Sequence, residues 1–221
     1  MPRCRFDLLT ALLDSWTLWN RIAGSEECGR AWRAAYLRQT YHAGRYRPYE
    51  TLVAEAATEV GLPSALAACL AARYHELDPW PEVAEVLSSL RGEGLKLGVV
   101  TNCSEALGAT AVARIGIDFE VVVTAERAGY YKPDPRPYEH ALVALGVTAR
   151  RCVFVAGSVY DLFGASNRGL ATYWHDRIGI NRRRICPSRW PITGRCTRSS
   201  TWCMNGLRTK LPGRCGDNRE A

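Results

Sequence analysis

The sequence predicts an α/β protein, a doubly wound and mostly parallel sheet with a helical insertion after its first strand. Three observations carry that prediction. Short apolar runs bounded by glycine or polar residues recur along the chain, as strands buried on both faces require. Amphipathic helical stretches alternate with the middle runs. Residues 15–78 contain no strand pattern at all. Alternating strand and helix implies right-handed crossovers, and therefore a parallel sheet with helices on both faces.

The first strand is the short run that precedes Asp7. Residues 15–78 then form three or four helical stretches dominated by Ala, Leu, Glu and Arg, read as a helical cap inserted into the sheet domain. Val83, Val86, Leu87 and Leu90 stand at i, i+3, i+4 and i+7, the spacing of one helix face. The second strand is LKLGVVT at 95–101, bounded by Gly94 and Asn102, and the third is FEVVVT at 119–124. Tyr138, Ala141, Leu142 and Leu145 repeat the helical spacing, and CVFVA at 152–156 and LATYW at 170–174 supply two more strands. The core is thus assigned to residues 1–14 and 79–180, the cap to 15–78, and an irregular basic tail to 181–221. The tail has neither helical nor strand periodicity, and its Arg, Cys, Pro and Ser content resembles GC-rich DNA translated in a shifted frame more than a packed domain.

Composition narrows the function classes. The chain has 221 residues, 47% hydrophobic and 23% charged, which suits one globular domain with an insertion and excludes wholesale disorder or a fibrous repeat. The net charge of +7 is misleading: residues 181–221 carry ten Lys and Arg against Asp217 and Glu220, leaving −1 for the rest. Nucleic-acid binding is therefore expected only through the tail. Of nine cysteines, Cys4, Cys28, Cys69, Cys103 and Cys152 are scattered without CxxC pairing and read as buried reduced thiols; the four in the tail fit no common zinc spacing. There is no apolar run of about 18 residues, so no membrane span is expected. Asp7 interrupts the place where a signal peptide needs its apolar centre, which predicts a cytoplasmic protein.

In an open parallel sheet the ligand crevice lies beyond the carboxyl ends of the strands. Asp7 ends the first strand, Thr101 and Asn102 the second, Lys132 lies in the loop YYKPDP, and Ser158 and Asp161 follow 152–156. Two carboxylates, an ammonium, an amide and hydroxyls from four segments make a kit for nucleophilic catalysis by Asp. The aromatics Trp16, Trp19, Tyr36, Tyr41, Tyr46 and Tyr49 read as the core of the insertion, and His140 and His175 as structural.

FDLLTALLDSW, VVTN, YKPDPRPYEHAL and FVAGSVYDLFGA followed by TYWHDRIG resemble, in order and spacing, the motifs of the haloacid dehalogenase (HAD) superfamily, most closely the L-2-haloacid dehalogenase type. The resemblance covers about residues 3–180 and implies a HAD-like fold. It implies that Asp7 is a nucleophile that displaces halide from a small anionic 2-haloacid, leaving an aspartyl ester that water opens. By the same likeness Lys132 stands beside Asp7, Asp161 orients Lys132 or the hydrolytic water, Arg33 in AWRAAYLRQTY holds the departing halide, and Thr101 and Asn102 hold the substrate carboxylate. An Asp open to solvent is ionised at neutral pH and needs no base, but an anionic substrate beside it requires cations. Relatives of this type are often dimers through the helical insertion, and no cofactor is implied.

The chain also departs from its relatives. Phosphatases of the superfamily place an acidic proton donor where Leu9 stands, and a further carboxylate where Gly157 stands, so a magnesium-dependent phosphatase is the disfavoured alternative. The dehalogenases have Tyr, Gly and Thr where this chain has Leu9, Thr10 and Ala11, Asn where it has Ser158, and Ser where it has Ala156. These changes leave a second alternative open, a catalytically silent HAD-like binding protein.

Overall fold

The computed structural model describes residues 3–177; the tail assigned to 181–221 lies outside them. Five strands form one parallel sheet: β1 (Arg3–Phe6), β2 (Lys96–Thr101), β3 (Val121–Thr124), β4 (Cys152–Ala156) and β5 (Ala171–Trp174). Their spatial order is β3-β2-β1-β4-β5. The chain builds outward from β1 to β2 and β3, then crosses to β4 and β5 on the other flank, so the winding direction reverses beside β1. A crevice opens at such a reversal because the loops leaving β1 and β4 diverge. Register is tight there: Phe6 lies opposite Val99 on one side and Val155 on the other.

Strands β2 to β5 read as apolar runs because the sheet is covered on both faces. Leu97, Val99, Val153, Val155 and Tyr173 belong to one hydrophobic cluster. Their neighbours Val100, Phe154, Ala156 and Trp174 belong to a second. Successive side chains of a strand point to opposite faces, so this division places one core on each side of the sheet. Helix α5 (Val83–Gly92) contributes Val83, Leu87 and Leu90 to the first, and α8 (Pro135–Leu145) contributes Tyr138 and Ala141 to the second. Helices α6 (Glu105–Ala113), α7 (Ala125–Ala128) and α9 (Val159–Ser166) complete the crossovers.

Between β1 and α5 run α1 (Ser15–Ala23), α2 (Glu26–Ala43), α3 (Tyr49–Glu59) and α4 (Leu66–Ala72), followed by a single 3₁₀ turn at Tyr74–Glu76. Asp14 and Ser25 cap α1 and α2 by accepting from the Thr17 and Cys28 amides. Trp19, Trp32, Tyr36, Tyr49 and Tyr74 are buried and in ring contact. Three of their polar atoms are satisfied inside the bundle: Trp32 Nε1 donates to the Val53 carbonyl at 2.8 Å, and the Tyr49 and Tyr74 hydroxyls pair at 3.2 Å.

The cysteine expectation needs correction. Cys28, Cys69, Cys103 and Cys152 are free thiols, but only Cys103 and Cys152 are buried; Cys28 is half-buried and Cys69 exposed. Helix α4 turns Ala67 and Leu70 inward, which leaves Cys69 on its solvent side. Among the described residues no helix is long and apolar enough to cross a membrane, and no three His, Cys, Asp or Glu side chains cluster to hold a metal.

Candidate active site

Asp7 leaves the end of β1 with its backbone N–H bonded to the Val155 carbonyl at 2.9 Å, so its position is set by the pairing of the two central strands. The chain then makes one wide π-helical turn, Leu8–Leu12, closed by the Leu13 amide donating to the Leu8 carbonyl at 3.1 Å. This turn presents Leu9 and Thr10 to the crevice. It passes so close to the loop after β4 that a Cβ on Gly157 would stand 2.4 Å from the Ala11 nitrogen and 2.6 Å from Thr10 Cβ. Residue 157 is therefore glycine because the backbones approach at contact distance.

Lys132 is the centre of the site. Its Nζ donates to Asp7 Oδ1 at 2.8 Å and lies 3.0 Å from Asp161 Oδ1. All three residues are buried, Asp7 and Lys132 at 6% exposure and Asp161 at 3%. Asp7 is thus buried rather than open to solvent, and the Lys132 ammonium stands against its carboxylate. Burial alone pulls the Lys132 pKa down, yet Asp161 and Asp7 outweigh it and hold the ammonium above the ordinary lysine value. Burial lifts the Asp161 carboxyl to about 6, with the Asp7 charge adding to the rise and Lys132 and Tyr138 opposing it. Tyr138, on α8, donates its hydroxyl to Asp161 Oδ1 at 2.8 Å.

Asn102 lines the crevice, but its side-chain amide is engaged elsewhere. Nδ2 donates to the Lys132 carbonyl at 3.0 Å, and Oδ1 accepts from the Lys132 amide at 2.7 Å. This two-point clamp fixes the backbone of the lysine loop, and the Asn102 carbonyl accepts from the Tyr36 hydroxyl at 2.7 Å. Thr101 is fully buried and is not among the crevice-lining residues; its hydroxyl accepts from the Cys103 thiol at 3.7 Å. Thr101 therefore stands behind the crevice, whereas Asn102 remains among its lining residues. A strand-end position points a side chain toward the crevice only on alternate residues, and Thr101 takes the inward one. Ser158 does line the crevice, half-buried, with its hydroxyl accepting from the Tyr160 amide at 3.3 Å.

Arg33 reaches the crevice from α2. It is 4% exposed and, among the described residues, is in no ion pair with a carboxylate. Nη1 donates to Ser15 Oγ at 2.6 Å and Nη2 to Thr10 Oγ1 at 2.8 Å, while Ser15 Oγ itself bonds the Leu9 carbonyl. The guanidinium carbon lies 4.4 Å from the Trp16 ring centroid and 5.5 Å from that of Trp19. Burial lowers its pKa below the usual guanidinium value, against the opposing pull of the nearby tyrosines and Asp7. Such a cation, held by neutral hydroxyls and aromatic faces, keeps its charge available to an incoming anion.

The structure therefore joins Asp7, Lys132 and Asp161, brings Arg33, Asn102 and Ser158 to the same crevice, and leaves Thr101 behind it. Thr10, Ser15 and Tyr138 were not singled out from the sequence as site residues. The sequence presents Tyr138 as one member of an apolar helix face, which it also is. The insertion aromatics divide: Trp19 and Tyr49 are core, whereas Tyr36 and Tyr41 line the crevice and Trp16 flanks Arg33.

A family model described as haloacid dehalogenase-like hydrolase matches residues 10–169, and the chain belongs to this family. It is 30% identical over 145 residues to haloacetate dehalogenase H-2 of Moraxella sp. (strain B), covering 62% of this chain and 65% of the relative. It is 34% identical over 108 residues to (S)-2-haloacid dehalogenase of Pseudomonas sp. (strain YL), covering 48% of this chain and 47% of that one. The matches thus span about half to two thirds of the length of these curated relatives. Among solved structures, L-2-haloacid dehalogenase from Xanthobacter autotrophicus with chloropropionic acid covalently bound superposes with a TM-score of 0.69 at 25% identity, over 78% of this chain and 76% of that one.

Proposed function

We propose that the protein is a hydrolytic dehalogenase that uses Asp7 as a covalent nucleophile on a small 2-haloacid, without a metal. One observation carries the reading: the Asp7 carboxylate and Asp161 are bridged by the buried Lys132 ammonium in a crevice that Arg33 makes positive on its other side. Two carboxylates and two cations leave the crevice formally neutral before substrate binds. At an effective dielectric of about 20, unlike charges 4 Å apart attract by about 4 kcal/mol, enough to offset the repulsion between Asp7 and an anionic substrate.

An Asp7 oxygen attacks C2 of the acid, the carbon–halogen bond breaks, and its electron pair leaves with the halide. Water then adds to the ester carbonyl of Asp7, releasing the 2-hydroxy acid and one proton and restoring the carboxylate. Lys132 holds Asp7 in place, and Asp161 anchors Lys132. The relatives named for haloacetate and 2-haloacid substrates support this substrate class. The residues fit a magnesium ion poorly, because Leu9 and Gly157 add no side-chain carboxylate to the two that Lys132 already neutralises. A cytoplasmic homodimer associating through the α1–α4 insertion completes the reading, and light scattering on the purified protein tests the dimer.

Halide release from 2-chloropropionate by the pure protein tests the activity. Asp7→Asn is expected to lower release by at least about a thousandfold; equal turnover by both forms would remove Asp7 from the mechanism. Magnesium-stimulated hydrolysis of p-nitrophenyl phosphate would revive the phosphatase alternative.

A further inference from the structure

The residue at position 10 is a departure from the family pattern, and its surroundings show what the change supplies. Thr10 is 5% exposed and lines the crevice three residues after Asp7. Its Oγ1 accepts the Arg33 Nη2 hydrogen at 2.8 Å, and its backbone carbonyl accepts from Trp80 Nε1 at 3.1 Å. Among the described residues, the hydroxyl hydrogen has no acceptor, and Arg33 Nε has no partner either. Two neighbouring unused donors, both buried, therefore belong to residues that line the crevice.

The hydroxyl is also sterically provided for. Thr10 Cβ lies 2.6 Å from where a Cβ of residue 157 would stand, so a side chain at position 10 is accommodated because Gly157 has none. A hydroxyl that accepts from a guanidinium is polarised, which makes it a stronger donor toward an anion. It cannot donate to Arg33, which has no acceptor, so its hydrogen is directed elsewhere.

We infer that Thr10 is a catalytic residue of this chain: its hydroxyl donates a hydrogen bond to the leaving halide at the place where Arg33 supplies the positive charge. The inference rests on the dehalogenase reading above and adds a group to it. A donor to developing negative charge matters most for the leaving group that departs least readily. Removing it should slow 2-chloropropionate more than 2-bromopropionate.

The test compares wild type with Thr10→Ala, which deletes the hydroxyl without adding bulk, and Thr10→Ser, which keeps it. For Thr10→Ala the kcat on 2-chloropropionate is expected to fall about 10- to 100-fold, with a smaller loss on 2-bromopropionate, and Thr10→Ser should recover most of both. Equal losses on the two acids, or none, would overturn the inference. Iodide titration followed by the saturable quenching of tryptophan fluorescence gives a readout independent of turnover, since Trp16 lies against Arg33. Thr10→Ala must weaken iodide binding and Thr10→Ser must restore it; unchanged affinity overturns the anion contact. If wild-type protein releases halide from neither acid, the dehalogenase reading falls, while the iodide result still decides whether Thr10 and Arg33 bind an anion together.

Discussion

At the scale of single residues, the chemistry depends on one ammonium shared by two buried carboxylates. Removing it while keeping the stem, as in Lys132→Met, strands both charges in a site that water barely reaches. Breaking a buried pair in this way costs about 3–5 kcal/mol, so urea denaturation at neutral pH should show a loss of that order together with loss of activity. Tyr138 offers a finer probe. Its hydroxyl favours the ionised form of Asp161, whose pKa burial has lifted to about 6. Because Lys132 needs Asp161 ionised to stay in place, kcat/KM should decline as pH falls through about 6. Tyr138→Phe withdraws a bond to the charged form, so the decline should shift to higher pH. A profile identical to wild type would detach Asp161 from the acid limb. These residues were legible in the sequence unequally. Asp7, Lys132 and Asp161 could be found because strand ends and loop positions point to a crevice. The Asn102 clamp on the Lys132 backbone could not be read, because an amide's engagement with a neighbouring backbone is set by loop geometry that residue type does not encode.

At the scale of elements, the wide turn at Leu8–Leu12 decides how the site is assembled. It brings Thr10 to Arg33 and lays its backbone against Gly157. Gly157→Ala puts a methyl group 2.4 Å from a backbone nitrogen, and the mismatch must be relieved by moving the turn or the loop after β4. An overpacked change of this kind costs about 1–3 kcal/mol, and because the turn carries Thr10, kcat should fall with stability. Thermal unfolding and halide release measured on the same variant check both; full activity with wild-type stability would mean that the approach is looser than described. The five strands, α5 and α8 could all be read from hydrophobic period, since burial on one or two faces imposes it. The wide turn could not, because five consecutive buried residues carry no period to read.

At the scale of the whole molecule, buried Asp161 and half-buried His175, which follow the neighbouring strands β4 and β5, impose opposite pH dependence on folding. Asp161 has a folded pKa raised to about 6, so the stability tied to its protonated form is present below the usual carboxylate range and is lost as pH rises through about 6. His175, following β5, is lowered to about 4 by burial and by the Arg177 charge, with Glu82 opposing. Its contribution is present above the ordinary imidazole value and disappears as pH falls through about 4. His175→Gln should therefore flatten the loss of stability between about pH 6.5 and 4 in urea titrations, and an unchanged slope would assign that loss elsewhere. The doubly wound architecture was readable from alternation alone, whereas the meeting of α2 with the crevice was not, since helical spacing is the same for an arginine that faces water and one that faces a site.

Covalent catalysis by Asp7 leaves an isotopic mark in a single turnover of 2-chloropropionate in water enriched in oxygen-18 with enzyme in excess. An aspartyl ester opened by water at its own carbonyl carbon places the heavy oxygen in the Asp7 carboxylate, where mass spectrometry of the peptide reads it. Heavy oxygen in the 2-hydroxypropionate, with none in that peptide, would show that water displaces the halide directly and would contradict the account.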